Sequence, residues 1–140
     1  LTGTNAVTLE GTLVSIDGAG NRVAAMMFGP KKVLVFAGGN KIVTDVDEAL
    51  HRIHNVVSPV NSLRHYAKHQ QAEAIDRPCV KVGECTDCFH ECRVCRYTAI
   101  IDGCQPPEKA LSGWCCAAIW CDAMDFGPPA VICRTTEARP

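Results

Sequence analysis

NAVTLEGTLVSIDG, residues 5–18, contains the sequence signals of two neighbouring strands. Two short runs of alternating apolar and polar residues flank a turn signal at Glu10 and Gly11. This arrangement is typical of a β-hairpin, because alternation places every second side chain on the same face of a strand. The apolar side chains expected to share one face are Val7, Leu9, Leu13 and Ile16. The hairpin is therefore the first predicted element of the fold.

Helix and strand patterns alternate after the hairpin. Residues 22–28 form a short apolar helix pattern that ends at Gly29 and Pro30. Residues 31–39, KKVLVFAGG, carry a short apolar run bounded by glycine, which is typical of a strand buried on both faces in a parallel sheet. The order strand, helix, strand, helix favours an α/β layered fold.

Two further helices are predicted from apolar residues at helical spacing. The first covers residues 45–57, and Thr44 is its expected N-cap because acidic residues follow in the first turn. Pro59 follows the predicted end of this helix. A shorter helix is predicted around residues 61–69, and the side chains expected to pack are Leu63 and Tyr66 or Ala67.

Length and charge limit the class of protein. The 140 residues suffice for one domain with a single core. Fourteen basic and fifteen acidic residues are mixed along the chain, so there is no basic stripe for nucleic acid and no polybasic patch for a membrane surface. No apolar run approaches the roughly 20 residues of a membrane span. We predict three parts: an α/β core over 1–75, a Cys-rich segment with an edge strand (97–103) over 76–104, and a tail over 105–140 that we cannot assign.

The start of the chain leads to two expectations. The residues LTGTNAVTLE lack a charged region followed by an apolar region, so we expect no signal peptide there. Residue 1 is Leu and strand-like sequence begins almost at once, so we expect a fragment without its N-terminal part. Any complete active site would then need residues from that missing part.

The Gly-rich turn DGAGNR, residues 17–22, is a candidate anion site. Two glycines before a helix start can leave backbone N–H groups free to converge on a phosphate or a carboxylate, and the helix dipole and Arg22 add positive potential. The residues proposed to hold the anion are Gly18, Gly20, Asn21 and Arg22, with Lys41 in a second Gly-rich turn. The alternative is a plain structural turn in which the glycines supply positive φ.

The histidines offer a weaker signal. His65 and His69 have the i, i+4 spacing that can bind a metal on one helix face. No acid of the HExxH type accompanies them, and His51 and His54 flank the polar side of the preceding helix. A solvated face is the preferred interpretation.

The cysteines carry the strongest chemical signal. All ten lie between Cys79 and Cys133, and five occupy the seventeen residues CVKVGECTDCFHECRVC. Their order is Cys79-x5-Cys85-x2-Cys88-x3-Cys92-x2-Cys95. A zinc ribbon separates its two CxxC pairs by about 15 to 20 residues, so this spacing is too tight for one. Compact spacing fits an iron–sulfur cluster, which needs several thiolates around one small object.

Three alternatives for the cysteines remain open. Zinc is the second choice of metal. A disulfide framework would normally spread its cysteines along the whole chain, whereas the first 78 residues here have none, which favours a reducing cytoplasm. Cys85, Cys88, Cys92 and Cys95 also fall on one face of a hypothetical helix, where they could be a buried stripe.

The motifs together resemble a known family. The stretch LTGTNAVTLEGTLVSIDGAGNRVAAMMFGPKKVLVFAGGNKIVTDVDEALHRIHNVVSPVNSLRH, residues 1–65, resembles the C-terminal half of lactate-utilisation (LUD) domain proteins, in particular a small stand-alone subgroup of unknown function. The segment PCVKVGECTDC resembles the cysteine segment of that subgroup, C-x5-C-x2-C-x6-C. On this chain the pattern falls on Cys79, Cys85, Cys88 and Cys95 and leaves Cys92 as an extra. The likeness covers about residues 1–103.

The resemblance implies the C-terminal part of a layered α/β fold similar to the NagB/RpiA/CoA-transferase group. Relatives with known roles are subunits of an iron–sulfur-containing system that oxidises lactate to pyruvate in bacteria. The tail departs from the family, because relatives end with another apolar strand and residues 113–140 do not have that pattern. The last strand of the sheet is therefore expected to be absent.

Two functions are predicted from different classes. The first is an accessory redox protein of lactate or 2-hydroxy-acid utilisation, with a [4Fe-4S] cluster, a redox partner protein and a small carboxylate or phosphate ligand. The second is a non-catalytic structural or interaction module held by zinc. An enzyme acting alone is the third choice, because no nucleophile with a partnered base is visible. The sequence leaves the oligomeric state and the substrate open.

Overall fold

The computed structural model describes residues 1–29, 32–70, 73, 75–102, 115–121 and 130–133. The strands of this part are β1 (Thr2–Gly3), β2 (Ala6–Thr8), β3 (Leu13–Asp17), β4 (Lys32–Gly38), β5 (Ile42–Val43), β6 (Tyr97–Ile101), β7 (Cys115–Cys121) and β8 (Ala130–Cys133). Its α-helices are α1 (Asn21–Phe28), α2 (Val46–Arg52), α3 (Ser58–His69) and α4 (Pro78–Val82). A 3₁₀ turn (Gly39–Lys41) precedes β5, and a π-helical turn (Ile53–Val57) joins α2 to α3.

The strands form two sheets of mixed direction, which confirms the α/β class. One sheet has the order β1-β4-β7-β8, and β4 is parallel to both of its neighbours. The other has the order β5-β2-β3-β6, and its centre is the predicted hairpin, with Ala6 opposite Val14 and Val7 opposite Leu13. Strand β6 pairs with β3 and lies at the edge of this sheet, as its sequence predicts.

The hairpin is buried on both faces. On one face Val7 and Leu13 pack against Met26 of α1 and the inward side chains of β4. On the other face Ala6, Val14 and Ile16 pack against α2 and the π turn. The prediction of a single apolar face was therefore wrong. Ile16 points to the opposite side from Val7 because the side-chain period of a strand is two, and Leu9 lies in the turn and is 65% exposed.

Strand β4 confirms the predicted parallel pairing but not burial of both faces. Val33, Val35 and Ala37 are buried, whereas Leu34 and Phe36 are partly exposed. In the described residues the hairpin sheet and α1 cover only one face of β4. Alternate side chains of this strand therefore have different environments.

The tail contains strands that its sequence did not predict. Strand β7 runs parallel to β4 from Lys32 opposite Cys115 to Gly38 opposite Cys121, and β8 returns antiparallel to it. The expectation that the sheet lacks its last strand was wrong, because pairing along all seven residues of β4 supports a strand without clean alternation. The predicted division into parts at residues 75 and 104 stays a prediction.

Helix α2 begins with a cap on Asp45 instead of the predicted Thr44. Asp45 has extended backbone angles directly before Val46, and its carboxylate accepts the Glu48 N–H at 2.8 Å. The Glu48 carboxylate in turn accepts the N–H and the hydroxyl of Thr44, at 2.6 and 2.7 Å. These donors hold the pKa of Glu48 below its ordinary value. The two acids and Thr44 together satisfy the start of the helix.

Helices α2 and α3 form one uninterrupted helix through the π turn. The Ser58 N–H bonds to the carbonyl of Ile53, five residues earlier. Pro59 lies in the first turn of α3, although its sequence suggested that a helix ends before it. A widened turn accommodates proline, because it relieves the clash between the ring and the carbonyl of the preceding turn. The helix therefore continues where the sequence predicted a break.

The inward face of α3 is polar. Ser58 and Ser62 are buried, while Leu63, Tyr66 and Ala67 are exposed, so the predicted packing of the last three was wrong. A π turn adds one residue to the helix and rotates everything after it by about 100°. Apolar spacing in α3 therefore does not identify the side that faces the core.

Within the described ranges, every helix is too short or too polar to traverse a lipid bilayer.

We expect Ser62→Leu to lower the free energy of unfolding more than Leu63→Ser does. The apolar spacing of α3 predicts the reverse order. Ser62 is 1% exposed and Leu63 is 50% exposed. A larger side chain at Ser62 has no space and should lower the free energy of unfolding by about 1–3 kcal/mol. Leu63→Ser should change it by less than about 1 kcal/mol. Urea unfolding of the two variants measures both values, and a larger loss in Leu63→Ser would contradict the orientation of α3.

Candidate functional site

One open cleft of about 860 Å³ joins three regions that are distant in sequence. Its walls are the Gly-rich turn after β3, the inward face of α3, and the loop that carries the cysteines before β6. The charged residues along it are five arginines and three acids: Arg22, Arg64, Arg77, Arg93, Arg96, Asp17, Glu73 and Glu91. The volume lies in the range of small-molecule sites, and the excess of arginine favours an anionic ligand.

The backbone N–H groups of the Gly-rich turn already have an acceptor. The Asp17 carboxylate accepts N–H bonds from Ala19, Arg22 and Val23 at 3.2, 2.9 and 3.3 Å. Burial raises the pKa of Asp17, but these donors together lower it below its ordinary value of 3.8. The carboxylate of Asp17 thus accepts N–H groups that were predicted to bind an anion. The turn lines the cleft without offering a free nest of donors.

The glycines of the turn allow the cysteine loop to approach closely. A Cβ on Gly18 would lie 3.1 Å from the carbonyl oxygen of Val94, and the Arg96 N–H donates to the carbonyl of Asp17 at 2.9 Å. Gly20 has φ of +83°, and a Cβ there would meet the ring of Tyr97 at 3.3 Å. Glycine at these two positions lets the turn and the loop form one wall.

Arg22 and Lys41, both predicted anion ligands, already donate hydrogen bonds to acceptors of the chain. Arg22 donates to the Asn5 side chain and the Ile16 carbonyl, both at 2.6 Å, and still lines the cleft. Lys41 donates to the Thr4 carbonyl at 3.0 Å and is not part of the cleft lining. Burial, and then repulsion from Arg52 and Arg22, lowers the pKa of Lys41. The structure therefore brings Gly18, Asn21 and Arg22 to the cleft, but neither Gly20 nor Lys41 lines it.

The segment 84–96 has no regular secondary structure. Cys85, Cys88, Cys92 and Cys95 therefore do not form a stripe on a helix, which was one alternative from the sequence. All four are partly buried, and none of these four forms a disulfide. Cys92 lines the cleft, so the cysteine loop reaches the same space as the Gly-rich turn.

Two of the loop sulfurs accept hydrogen bonds. The Asp87 N–H lies 3.4 Å from Cys85 Sγ, and Arg93 Nε lies 3.2 Å from Cys95 Sγ. Arg93 also donates to the Cys88 carbonyl at 2.8 Å and lies 3.6 Å from the Asp87 carboxylate. The bond to Cys95 raises the pKa of Arg93. A guanidinium and an amide next to sulfur stabilise thiolates.

The arrangement of possible metal ligands is more open than the sequence suggested. Cys79 is buried in α4, where its thiol lies 3.6 Å from Ser62 Oγ, apart from the loop. In the described part of the chain, no three side chains of His, Cys, Asp or Glu are grouped closely enough to hold a metal ion. The chemistry of the donors fits an iron–sulfur cluster, since these are reduced thiols with N–H partners, but their positions here do not enclose one.

The histidines lie in different environments. His51 and His54 are exposed on α2 and the π turn. His65 is partly buried and lines the cleft from α3. For the pair of His65 and His69, the preference for a solvated face stays a prediction.

Sequence reasoning missed two residues of the cleft. Ser58 and Arg77 are buried polar residues on the side of the cleft formed by α3 and the segment before α4. Serine in a helix and arginine before proline are ordinary features, so neither carries a signal in the sequence. The burial of Ser58, directly after the π turn, depends on the rotation of the helix there.

Comparison with known proteins gives one match. A family model described as LUD domain matches residues 1–108, which includes the Gly-rich turn, α3 and the cysteine loop. Neither the curated proteins nor the solved structures contain a match.

We expect Asp17→Ala to destabilise the protein by about 1 kcal/mol, the typical value of a side-chain cap at a helix start. The pKa of Asp17 is lowered in the folded state, so its contribution should be complete above the ordinary value of 3.8 and disappear as the pH falls below it. Urea unfolding of the variant and the wild type between pH 7 and pH 3 tests this expectation. Glu10→Ala, at an exposed acid in the hairpin turn, is the control. An equal and pH-independent loss in both variants would contradict the capping role.

Proposed function

The chain belongs to the LUD domain family, and on that premise we propose that it is an accessory redox protein of lactate or other 2-hydroxy-acid utilisation. Membership supports a link to lactate utilisation in the broad sense. The observation that carries the finer proposal is the cleft, which combines an excess of arginine with the cysteine loop. A small carboxylate would bind next to the thiols there.

The arginines give the cleft its preference for an anion. Two of its acids are exposed, Glu73 and Glu91, and the third, Asp17, is used by the Gly-rich turn. Lactate and related acids carry one carboxylate, which guanidinium groups bind with two parallel hydrogen bonds. The chain would hold and orient the acid, and a partner protein would complete the oxidation.

The cysteine loop is the proposed position of an iron–sulfur cluster, [4Fe-4S] in the first instance. When bound, such a cluster supplies single-electron transfer to or from a redox partner. The residues of this chain would supply thiolates, and the Asp87 N–H and Arg93 would donate hydrogen bonds to sulfur. Donors to sulfur tune the potential of a cluster.

The fourth ligand has two candidates. The family-like spacing gives Cys79, which is buried in α4 next to Ser62. Cys92 lies on the same irregular loop as Cys85, Cys88 and Cys95 and shares their partial exposure. Gathering four sulfurs from one loop requires no unpacking of a helix, so burial supports Cys92. Binding of the cluster would then draw the loop together. A reducing cytoplasm is the location that suits such thiols.

We expect anaerobic reconstitution to give about four iron and four sulfide per chain, with the absorbance of a cluster. Cys85→Ser, Cys88→Ser, Cys92→Ser and Cys95→Ser should each lower the iron content by more than half. Cys79→Ser is the matched control, which should retain iron. Elemental analysis with visible spectroscopy measures all five variants.

Other metal contents would contradict the proposal in distinct ways. One zinc per chain without sulfide, and unfolding of the loop on chelation, would favour the structural module instead. Iron retained in Cys92→Ser and lost in Cys79→Ser would restore the family-like ligand set. A chain with neither iron nor zinc would remove the metal from the proposal altogether.

A further inference from the structure

Two buried polar groups on one side of the cleft lack partners. Ser58 is 2% exposed and Arg77 is 3% exposed, and both line the cleft. Within the described residues, Ser58 Oγ and Arg77 Nε are buried atoms with no hydrogen-bond partner. Arg77 makes one long bond through another nitrogen, to the Ser62 carbonyl at 3.4 Å. The position therefore holds two unused donors.

This arrangement is costly for a protein without a ligand. A guanidinium stays charged at any physiological pH, and burial without a matching anion is strongly unfavourable. Buried hydroxyls are also nearly always hydrogen-bonded. In the described part of the chain, the structure gives Arg77 no ion pair with a carboxylate. The missing partner is an acceptor with negative charge.

We propose that Ser58 and Arg77 form a subsite for one oxyanion group, the carboxylate or phosphate of the ligand that the cleft binds. The subsite rests on the proposed function only in the choice of 2-hydroxy acids as probes. Arg77 would supply its Nε–H and its charge, and Ser58 would supply its O–H. The subsite replaces the Gly-rich turn as the place of the anion, because Asp17 fills that turn.

The π turn determines the position of Ser58. It ends at Val57, and both Val57 and Ser58 line the cleft. In a regular α-helix a serine hydroxyl often bonds to the carbonyl four residues back, which here would be His54. The hydroxyl of Ser58 makes no such bond in the structure. The hydroxyl therefore has no acceptor among the described residues.

Arg22 lies in the wall formed by the Gly-rich turn and contributes positive potential from there. Its Nε is also buried without a partner, although its outer nitrogen is bound to Asn5 and Ile16. Because those bonds fix the guanidinium in place, Arg22 adds positive potential to the cleft but is not assigned as a direct ligand of the anion. The subsite itself consists of Ser58 and Arg77.

Titration calorimetry on the full chain tests the subsite with L-lactate, pyruvate and inorganic phosphate. Lactamide, the neutral amide of lactate, is the uncharged comparison. We expect at least one anion to bind and lactamide not to bind. Ser58→Ala and Arg77→Lys should each weaken that binding roughly tenfold or more, since hydrogen bonds to charged groups are among the stronger ones. Arg77→Lys keeps the positive charge but lacks the Nε–H.

Ser62→Ala is the matched control, because Ser62 is buried one turn further along α3 and does not line the cleft. It should bind the anion as the wild type does. The thermal midpoint of ligand-free Ser58→Ala should be no lower than that of the wild type, because the hydroxyl that it loses has no partner. An unchanged midpoint would show that weaker binding by Ser58→Ala results from the loss of a contact with the anion and not from unfolding.

The outcomes distinguish the subsite from the proposed function. Binding of phosphate without lactate or pyruvate supports the subsite and contradicts the 2-hydroxy-acid role. A chain that binds iron but none of the three anions keeps the redox proposal and overturns the subsite. Anion binding that stays at wild-type strength in both Ser58→Ala and Arg77→Lys also overturns it.

Discussion

Burial of the β2–β3 hairpin on both faces is the constraint on which the rest of the structure depends. Its strands have three and five residues, too few to hold a sheet by pairing alone. Packing on one face with β4 and α1, and on the other with α2 and the π turn, gives the hairpin its stability. The connection before the hairpin is held by hydrogen bonds. The Asn5 side chain accepts the Ile16 N–H at 2.8 Å, and Arg52 reaches the Asn5 carbonyl at 3.0 Å.

The π turn links the packing of the hairpin to the orientation of α3 at the cleft. Ile53, at its start, is fully buried against the hairpin, so the first half of the long helix has a fixed orientation. The extra residue of the turn then rotates α3 and brings its serines inward. In a regular helix, Val60 would instead lie close to the face that carries the buried Ile53, because residues seven apart are nearly aligned. The widened turn thus preserves a polar wall at the cost of exposed apolar residues.

Much of the fold follows from sequence patterns, whereas the assignment of faces does not. The hairpin, α1, α2 and β6 are visible because each carries a local period or a turn signal. The strand pattern at residues 5–18 could not reveal that both faces are covered, since that depends on β4 and α2 meeting it from opposite sides. The rotation of α3 is equally hidden, because no residue type requires a π turn. The Cys-rich spacing predicted ligands of an iron–sulfur cluster, but it could not give the positions of the sulfurs, because segment 84–96 has no regular secondary structure.

The sequence singled out the Gly-rich turn but could not show how its donors are used. Gly18 lines the cleft, yet Asp17 fills the turn with its own carboxylate. Ser58 and Arg77 become unusual only through burial, which is a property of the folded chain. The close approach of Gly18 to Val94 joins the Gly-rich turn to the cysteine loop, so the proposed cluster and the proposed anion would share one wall. A bound anion would then shift the reduction potential of the cluster, and oxidation of the cluster would change the affinity for the anion. Expressed as free energies, these two effects must be equal by thermodynamic linkage. One coupling free energy would thus link the occupancy of the anion site to the redox state of the cluster.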